Sequence, residues 1–418
     1  MAVRARPAFF YGWLIVAVAF YSNLISTGTG FYIWNVFQGP ILAELHWTRT
    51  QFSAGLGLSM FVNSFLGLVT GYLVTRFGPR LLMVLGAGLN GAAYVLLARM
   101  NSPWEFYLLL GAALSFAGAC LSGVVVNYAV SNWFVLRRGK ALGLATMGIS
   151  MSGAILPLLG QSLLDLYGDW RSACFGVAIL VWATLIPLAL IFLKGRPEEL
   201  GLLPDDADPA LPPPTLVAEN DRRWSGRDAL RTPAFWRIIL PYAGAITALS
   251  AILSQLVIRF TDVGFTSHQA TTILALTALS GAAGKYFWGA LCDRFRAQRI
   301  AAGLFLLQAA GILVLILIKN LAGVALFTVV YGFSMGGVLS TFPIITAAMF
   351  GRRSFGKVSG IMSPLLALRL AGTVILGMSH DRYGSYDQAY LLFLVVYLFA
   401  AGVIFSLEKP AATAGGPA

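Results

Sequence analysis

GYLVTRFGPR, residues 71–80, comes back at 289–296 as GALCDRFR, and the offset of 218 divides the chain near its middle. Arg138-Gly-Lys-Ala-Leu-Gly143 is echoed by Arg353-Ser-Phe-Gly-Lys-Val-Ser-Gly360, an offset of 215. Asp165-Leu-Tyr-Gly168-Asp-Trp-Arg171 is echoed by Asp381-Arg-Tyr-Gly384-Ser-Tyr-Asp387, an offset of 216. Three near-equal spacings read as a chain built from two parallel copies of one unit.

The unit is a membrane unit. The 418 residues are 58% hydrophobic and 11% charged, and the mean hydropathy is +0.77. Soluble domains carry about 25% charged residues, so this composition places the chain in a bilayer. Crossing one takes about 20 apolar residues. Twelve stretches meet that need, near 13–38, 50–75, 81–100, 104–133, 141–165, 171–193, 234–260, 267–291, 299–318, 321–349, 356–379 and 387–407. The fold class expected is all-α, with twelve transmembrane helices in two six-helix bundles. Arg4 and Arg6 precede a long apolar stretch with no small-residue cleavage site, so the first stretch reads as a spanning helix, not a removable signal.

Lys and Arg set the orientation. With the N-terminus inside, 21 of the 29 fall in the termini and the inner loops, and six fall one per outer loop. That asymmetry predicts N-in, C-in. The net charge of +12 therefore reflects topology; the basic residues form no tract of the kind that binds nucleic acid. Residues 194–233, KGRPEELGLLPDDADPALPPPTLVAENDRRWSGRD and its flanks, are rich in proline and charge. Such a stretch cannot bury a core and is predicted to be a cytoplasmic linker. The domains expected are 1–193, the linker 194–233, and 234–418.

Two basic residues are left over, Lys285 and Arg369, each inside an apolar segment. A charge at the centre of a spanning helix costs roughly 3 kcal/mol even on the insertion scale. All 17 Asp and Glu lie in loops or near helix ends, so the missing counter-ion is most simply a ligand anion. For Lys285 the plain alternative is snorkelling toward Asp293, eight residues on. For Arg369 it is a packing role on backbone carbonyls. Cys120, Cys174 and Cys292 are scattered and form no CxxC pair. No metal site, cofactor or catalytic residue is expected, and His46, His268 and His380, at outer ends of segments, receive no role.

The doubled loop resembles the loop 2–3 motif of the major facilitator superfamily. In that superfamily glycines let helices cross closely and the charged loop locks the cytoplasmic side. Carried over, the gate residues are Gly71, Arg76, Arg80, Gly289, Asp293 and Arg294. The first copy departs from the motif, since Thr75 stands where an Asp is usual; the second keeps its acid, Asp293.

A narrower resemblance is to the monocarboxylate transporter and oxalate:formate antiporter branch. It rests on Tyr11-Gly12-Trp13, Trp47-Thr-Arg49, Trp133-Phe-Val-Leu-Arg137-Arg138-Gly-Lys-Ala and Arg196-Pro-Glu-Glu-Leu-Gly-Leu-Leu-Pro-Asp205. The branch holds its substrate carboxylate with an Arg in helix 8, followed four residues on by Gly. Lys285 and Gly289 occupy those places, keeping the charge and losing the bidentate fork. The antiporter side has a Lys in helix 11, about one turn from Arg369. The acid that the monocarboxylate carriers tie to proton coupling is here Gly281, and their helix 1 Lys has no counterpart, so that route is not expected.

In this superfamily helices 1, 4, 7 and 10 line the cavity, which adds Trp34, Asn35, Asn127, Tyr128 and Tyr331 as candidate substrate contacts. The resemblance implies a secondary carrier for a small organic anion, working by exchange or with protons, in the inner membrane of a bacterium. Drug efflux, a non-transporting receptor and an intramembrane enzyme are the alternatives. They lack, respectively, an intramembrane acid, a signalling domain and an acid–base pair.

Overall fold

The computed structural model describes residues 10–206, 224–317 and 320–408. Arg4, Arg6, Lys319 and linker residues 207–223 lie outside them. The described residues contain helices and no strand. Nine helices among them are long and apolar enough to cross a membrane. One of the nine, Arg49–Leu97, is two helices joined at a kink, because Gly78 takes φ 81° and ψ 164° and Pro79 follows it. A proline stacked on a left-handed glycine cannot continue the hydrogen-bond ladder.

The longer helical segments among the described residues are labelled in chain order. They are α1 (Gly12–Leu45), α2 (49–77), α3 (79–97), α4 (Pro103–Trp133), α5 (Arg138–Tyr167), α6 (Trp170–Phe192), α7 (Pro233–Asp262), α8 (Ser267–Cys292), α9 (Ala297–Leu317), α10 (Leu321–Phe350), α11 and α12 (Asp387–Phe405). α11 is made of Phe355–Met362, a tight 3-10 stretch at Ser363–Leu368, and Arg369–Tyr383. The apolar runs therefore mark the segments closely. The local breaks within them carry no hydropathy signal. α1, α4 and α10 contain π-helical turns at Gly28–Tyr32, Leu109–Leu114 and Thr328–Gly332. α4 also breaks at Ser122, with Gly123 at φ 56°.

Many of the long helices carry their own N-caps, and two at the halves' meeting point do not. α2, α4, α6, α8 and α10 begin with their own caps: Thr48, Ser102, Asp169, Thr266 and Asn320 each accept a first-turn backbone N–H. At the opposite end α7 is capped by Thr232, whereas α5 and α11 have no such cap. Uncapped helix N-termini leave donors to be satisfied from elsewhere, and that is where the halves meet.

Each half has its own apolar core. In the first, Trp34 stacks on Tyr94 at 5.7 Å and is ringed by Phe37, Phe52 and Phe106. Between halves, α5 packs on α8 and on α10, and α2 packs on α11. These crossings need glycine. A Cβ on Gly139 would collide with the carbonyl of Gly289, and one on Gly71 with the carbonyl of Gly356. Both crossings sit at the end carrying the repeated loops.

Candidate functional site

Lys285 lies on α8 and is only 4% exposed. Its Nζ donates to Ser150 Oγ at 2.8 Å and to the Thr146 carbonyl at 3.2 Å, both on α5 in the other half. It does not bend toward Asp293, so snorkelling does not describe it. Arg369 opens the last part of α11, right after the 3-10 stretch. One Nη2 contact reaches the Met60 carbonyl on α2 at 3.4 Å. The guanidinium has five donors, and it lines a cavity of about 300 Å³ between α1, α2 and α4. Among the described residues, no acidic side chain pairs with either cation. Both cations thus belong to the second half and bond to the first, through different helices. Lys285 is not part of the wall of the Arg369 cavity.

The other candidates do not converge on that cavity. Trp34 is fully buried in the aromatic core of the first half. Tyr331 is fully buried in the second half, stacked on Phe327 at 5.0 Å and facing Gly311 of α9. Large rings filled these positions for packing, which is the common use of membrane aromatics. Asn35 is exposed and Asn127 half-buried, and neither lines the cavity. Tyr128 sits near the gate end of α4, where its hydroxyl accepts from Arg196 at 3.4 Å. It faces a second cavity of about 540 Å³, under loop 2–3 and the start of the linker.

The gate residues divide as well. Asp293 is the missing cap of α5: its carboxylate accepts the Gly139 N–H at 2.6 Å and the Lys140 N–H at 2.9 Å. Burial pushes this carboxyl up to about 6, against the downward pull of those two N–H groups. Thr75, the matching residue of the first copy, donates to its own helix at Tyr72 O, 2.8 Å, and only its methyl faces α11 at Gly356. Gly71 and Gly289 make the close crossings. Arg76 stays on its own helix beside Tyr72 and Phe77. Arg80 donates to the Leu190 carbonyl in its own half, and Arg294 is exposed.

Sequence alone assigned the residues of the linker no bonding role. Its first part is docked and ordered. Asp205, at φ 58°, accepts the backbone N–H groups of Val135, Leu136 and Arg137 at 2.6, 2.6 and 3.1 Å. Glu198 pairs with Arg352 of the other half at 2.8 Å. The signal was present in Arg196-Pro-Glu-Glu-Leu-Gly-Leu-Leu-Pro-Asp205, a run too specific for a loose tether. Ser150 had no signal at all; it is one serine in a small-residue helix.

The family model described as Major Facilitator Superfamily matches residues 19–368. The chain belongs to that superfamily. It is 25% identical over 413 residues to monocarboxylate transporter 13 of Bos taurus, covering 97% of this chain and 92% of that one. It is 24% identical over 390 residues to riboflavin transporter MCH5 of Saccharomyces cerevisiae, covering 84% and 69%. The fold matches the crystal structure of the human organic anion transporter MFSD10 (TETRAN) with TM-score 0.70 at 18% identity, over 96% of this chain and all of that one. The chain is therefore an integral, multi-pass membrane protein of a transporter family and fold, not an enzyme family, acting on a small molecule.

Proposed function

We propose that this protein carries a small organic anion, monocarboxylate-like, across the inner membrane of a bacterium by alternating access. All twelve segments cross, with the N-terminus and the basic loops facing the cytoplasm. The observation that carries this reading is the placement of Lys285 and Arg369. Both are second-half cations inserted against the first half, with no acid among the described residues to neutralise them. A bound carboxylate supplies the missing charge, and it also bridges the halves. Arg369, with donors open to the cavity, makes the direct contact. Lys285, held by Ser150, contributes the second positive charge from α8.

The crossings at Gly139–Gly289 and Gly71–Gly356 close the basic-loop end, so the described state faces outward. Exchange follows from the charge. An empty site with two unpaired cations resists reorientation, and a bound anion relieves it. Lys285→Ala and Arg369→Ala should each abolish uptake of labelled carboxylates into proteoliposomes, with folding and insertion intact. Lys285→Arg should keep partial activity. Normal transport by both alanine variants would overturn the anion site.

A further inference from the structure

The cavity beside Arg369 is built for more than a carboxylate. Besides Arg369, six polar side chains line it: Ser26 and Thr27 of α1, Ser59 and Asn63 of α2, and Ser115 and Ser122 of α4. Some of their hydrogens are committed. Ser26 and Ser122 donate to the Gly118 carbonyl at 3.3 and 2.9 Å. The Ser115 hydroxyl lies 3.0 and 3.1 Å from the Leu110 and Ser59 carbonyls, and a 2.8 Å hydrogen bond joins it to the Ser59 hydroxyl. Asn63 donates through Nδ2 to the Ser115 carbonyl at 3.3 Å. What these groups hold toward a ligand is hydroxyl lone pairs, the Asn63 amide oxygen, the second N–H of that amide and the Thr27 hydroxyl. A wall rich in acceptors with a few donors recognises groups that do both. An ammonium group is a poor fit, since the wall has no carboxylate and Arg369 repels it. Neutral hydroxyls fit.

We propose that the transported anion is a hydroxyl-bearing carboxylate, its carboxylate on Arg369 and its hydroxyls donating to Ser26, Ser59, Asn63 and Ser122. A cavity of about 300 Å³ has room for a small polyhydroxy acid, for which a five-carbon acid serves as the probe. This inference rests on the anion reading above and narrows it. A plain aliphatic acid leaves the wall's acceptors desolvated and unpaired, which is where hydroxyl-binding sites discriminate most strongly.

The test is thermal-shift binding on the purified full-length protein with three five-carbon probes: D-ribonate, pentanoate and the uncharged ribitol. The expected result is ribonate binding at least about 50-fold tighter than pentanoate, with ribitol weaker than ribonate. Asn63→Leu should shrink the ribonate–pentanoate gap. Equal affinity for ribonate and pentanoate, lost in Arg369→Ala, overturns the hydroxyl inference and leaves the anion reading standing. Equal affinity for ribonate and ribitol, unaffected by Arg369→Ala, overturns the anion reading and with it the carboxylate half of this proposal. No binding by any probe overturns both.

Discussion

The two crossings between the halves start from the same duplicated sequence and end in different chemistry. At α5–α8, Gly139 lies on Gly289 and the Asp293 carboxylate caps the first turn of α5. At α2–α11, Gly71 lies on Gly356 and Gly360, but Thr75 turns its hydroxyl back into its own helix and offers α11 a methyl. At its loop end one interface is latched by a carboxyl cap; at the loop end of the other, the glycines and the Thr75 methyl pack closely with no such cap among the described contacts. Each also has one cation of the second half reaching to the first, Lys285 to Ser150 and Arg369 to the Met60 carbonyl. The lesson is that a duplicated fold can concentrate its lock in one copy, while both copies keep the glycines that make the crossing possible.

The comparison can be broken most severely at the glycines. Gly289→Val puts a branched side chain against the Gly139 carbonyl, so the gate end should fail to close and transport should be lost. Spin labels at the exposed Leu136 and Phe295 should report a wider separation; an unchanged distance would refute the crossing as the point of closure. Asp293→Ala comes next. Losing an N-cap costs about 1 kcal/mol, so the open population should rise about fivefold, while Thr75→Ala at the other crossing should leave the label distances as they were. Equal effects from the two would erase the asymmetry.

Acidification gives a smaller effect with a definite sign. The Asp293 carboxyl sits at about 6 when buried in the closed gate, above its value in water, so the closed form binds the proton more tightly. Its contribution to closure is full at low pH and is lost as pH rises through 6. Moving from pH 7.5 to 5 should therefore shift the labels severalfold toward closed, and Asp293→Ala should remove that response. The mildest change is Thr75→Asp, which places a carboxylate near the N-terminus of α11. A charge at a helix N-terminus is worth about 0.5 kcal/mol, so closure should gain about twofold. A shift toward opening would show that the α2–α11 crossing does not accept a cap.

Much of this arrangement was legible in the sequence. Hydropathy length marked the segments, and the repeated loop marked both crossings, because glycine and charge at fixed spacing have few other uses in a membrane protein. Lys285 and Arg369 stood out because an intramembrane cation is costly. What stayed hidden is what depends on side-chain direction. Trp34 and Tyr331 lie on helices expected to face the cavity, yet they turn into the cores of their own halves, since hydropathy does not say which face of a fully apolar helix looks inward. The serines around Arg369 were invisible for the same reason. The docking of the linker's first part was hidden too, because composition marks a linker without saying what its acids bind; Asp205 and Glu198 fix it onto loop 4–5 and Arg352.

The central claim, an anion site made of two unneutralised cations, is tested most directly by trans-loading. Proteoliposomes preloaded with the carboxylate that binds tightest should take up the same labelled acid well beyond the rate of unloaded vesicles, and Lys285→Ala should abolish the uptake. Equal rates in loaded and unloaded vesicles, both steep in the inward proton gradient and both surviving Lys285→Ala, would contradict the account.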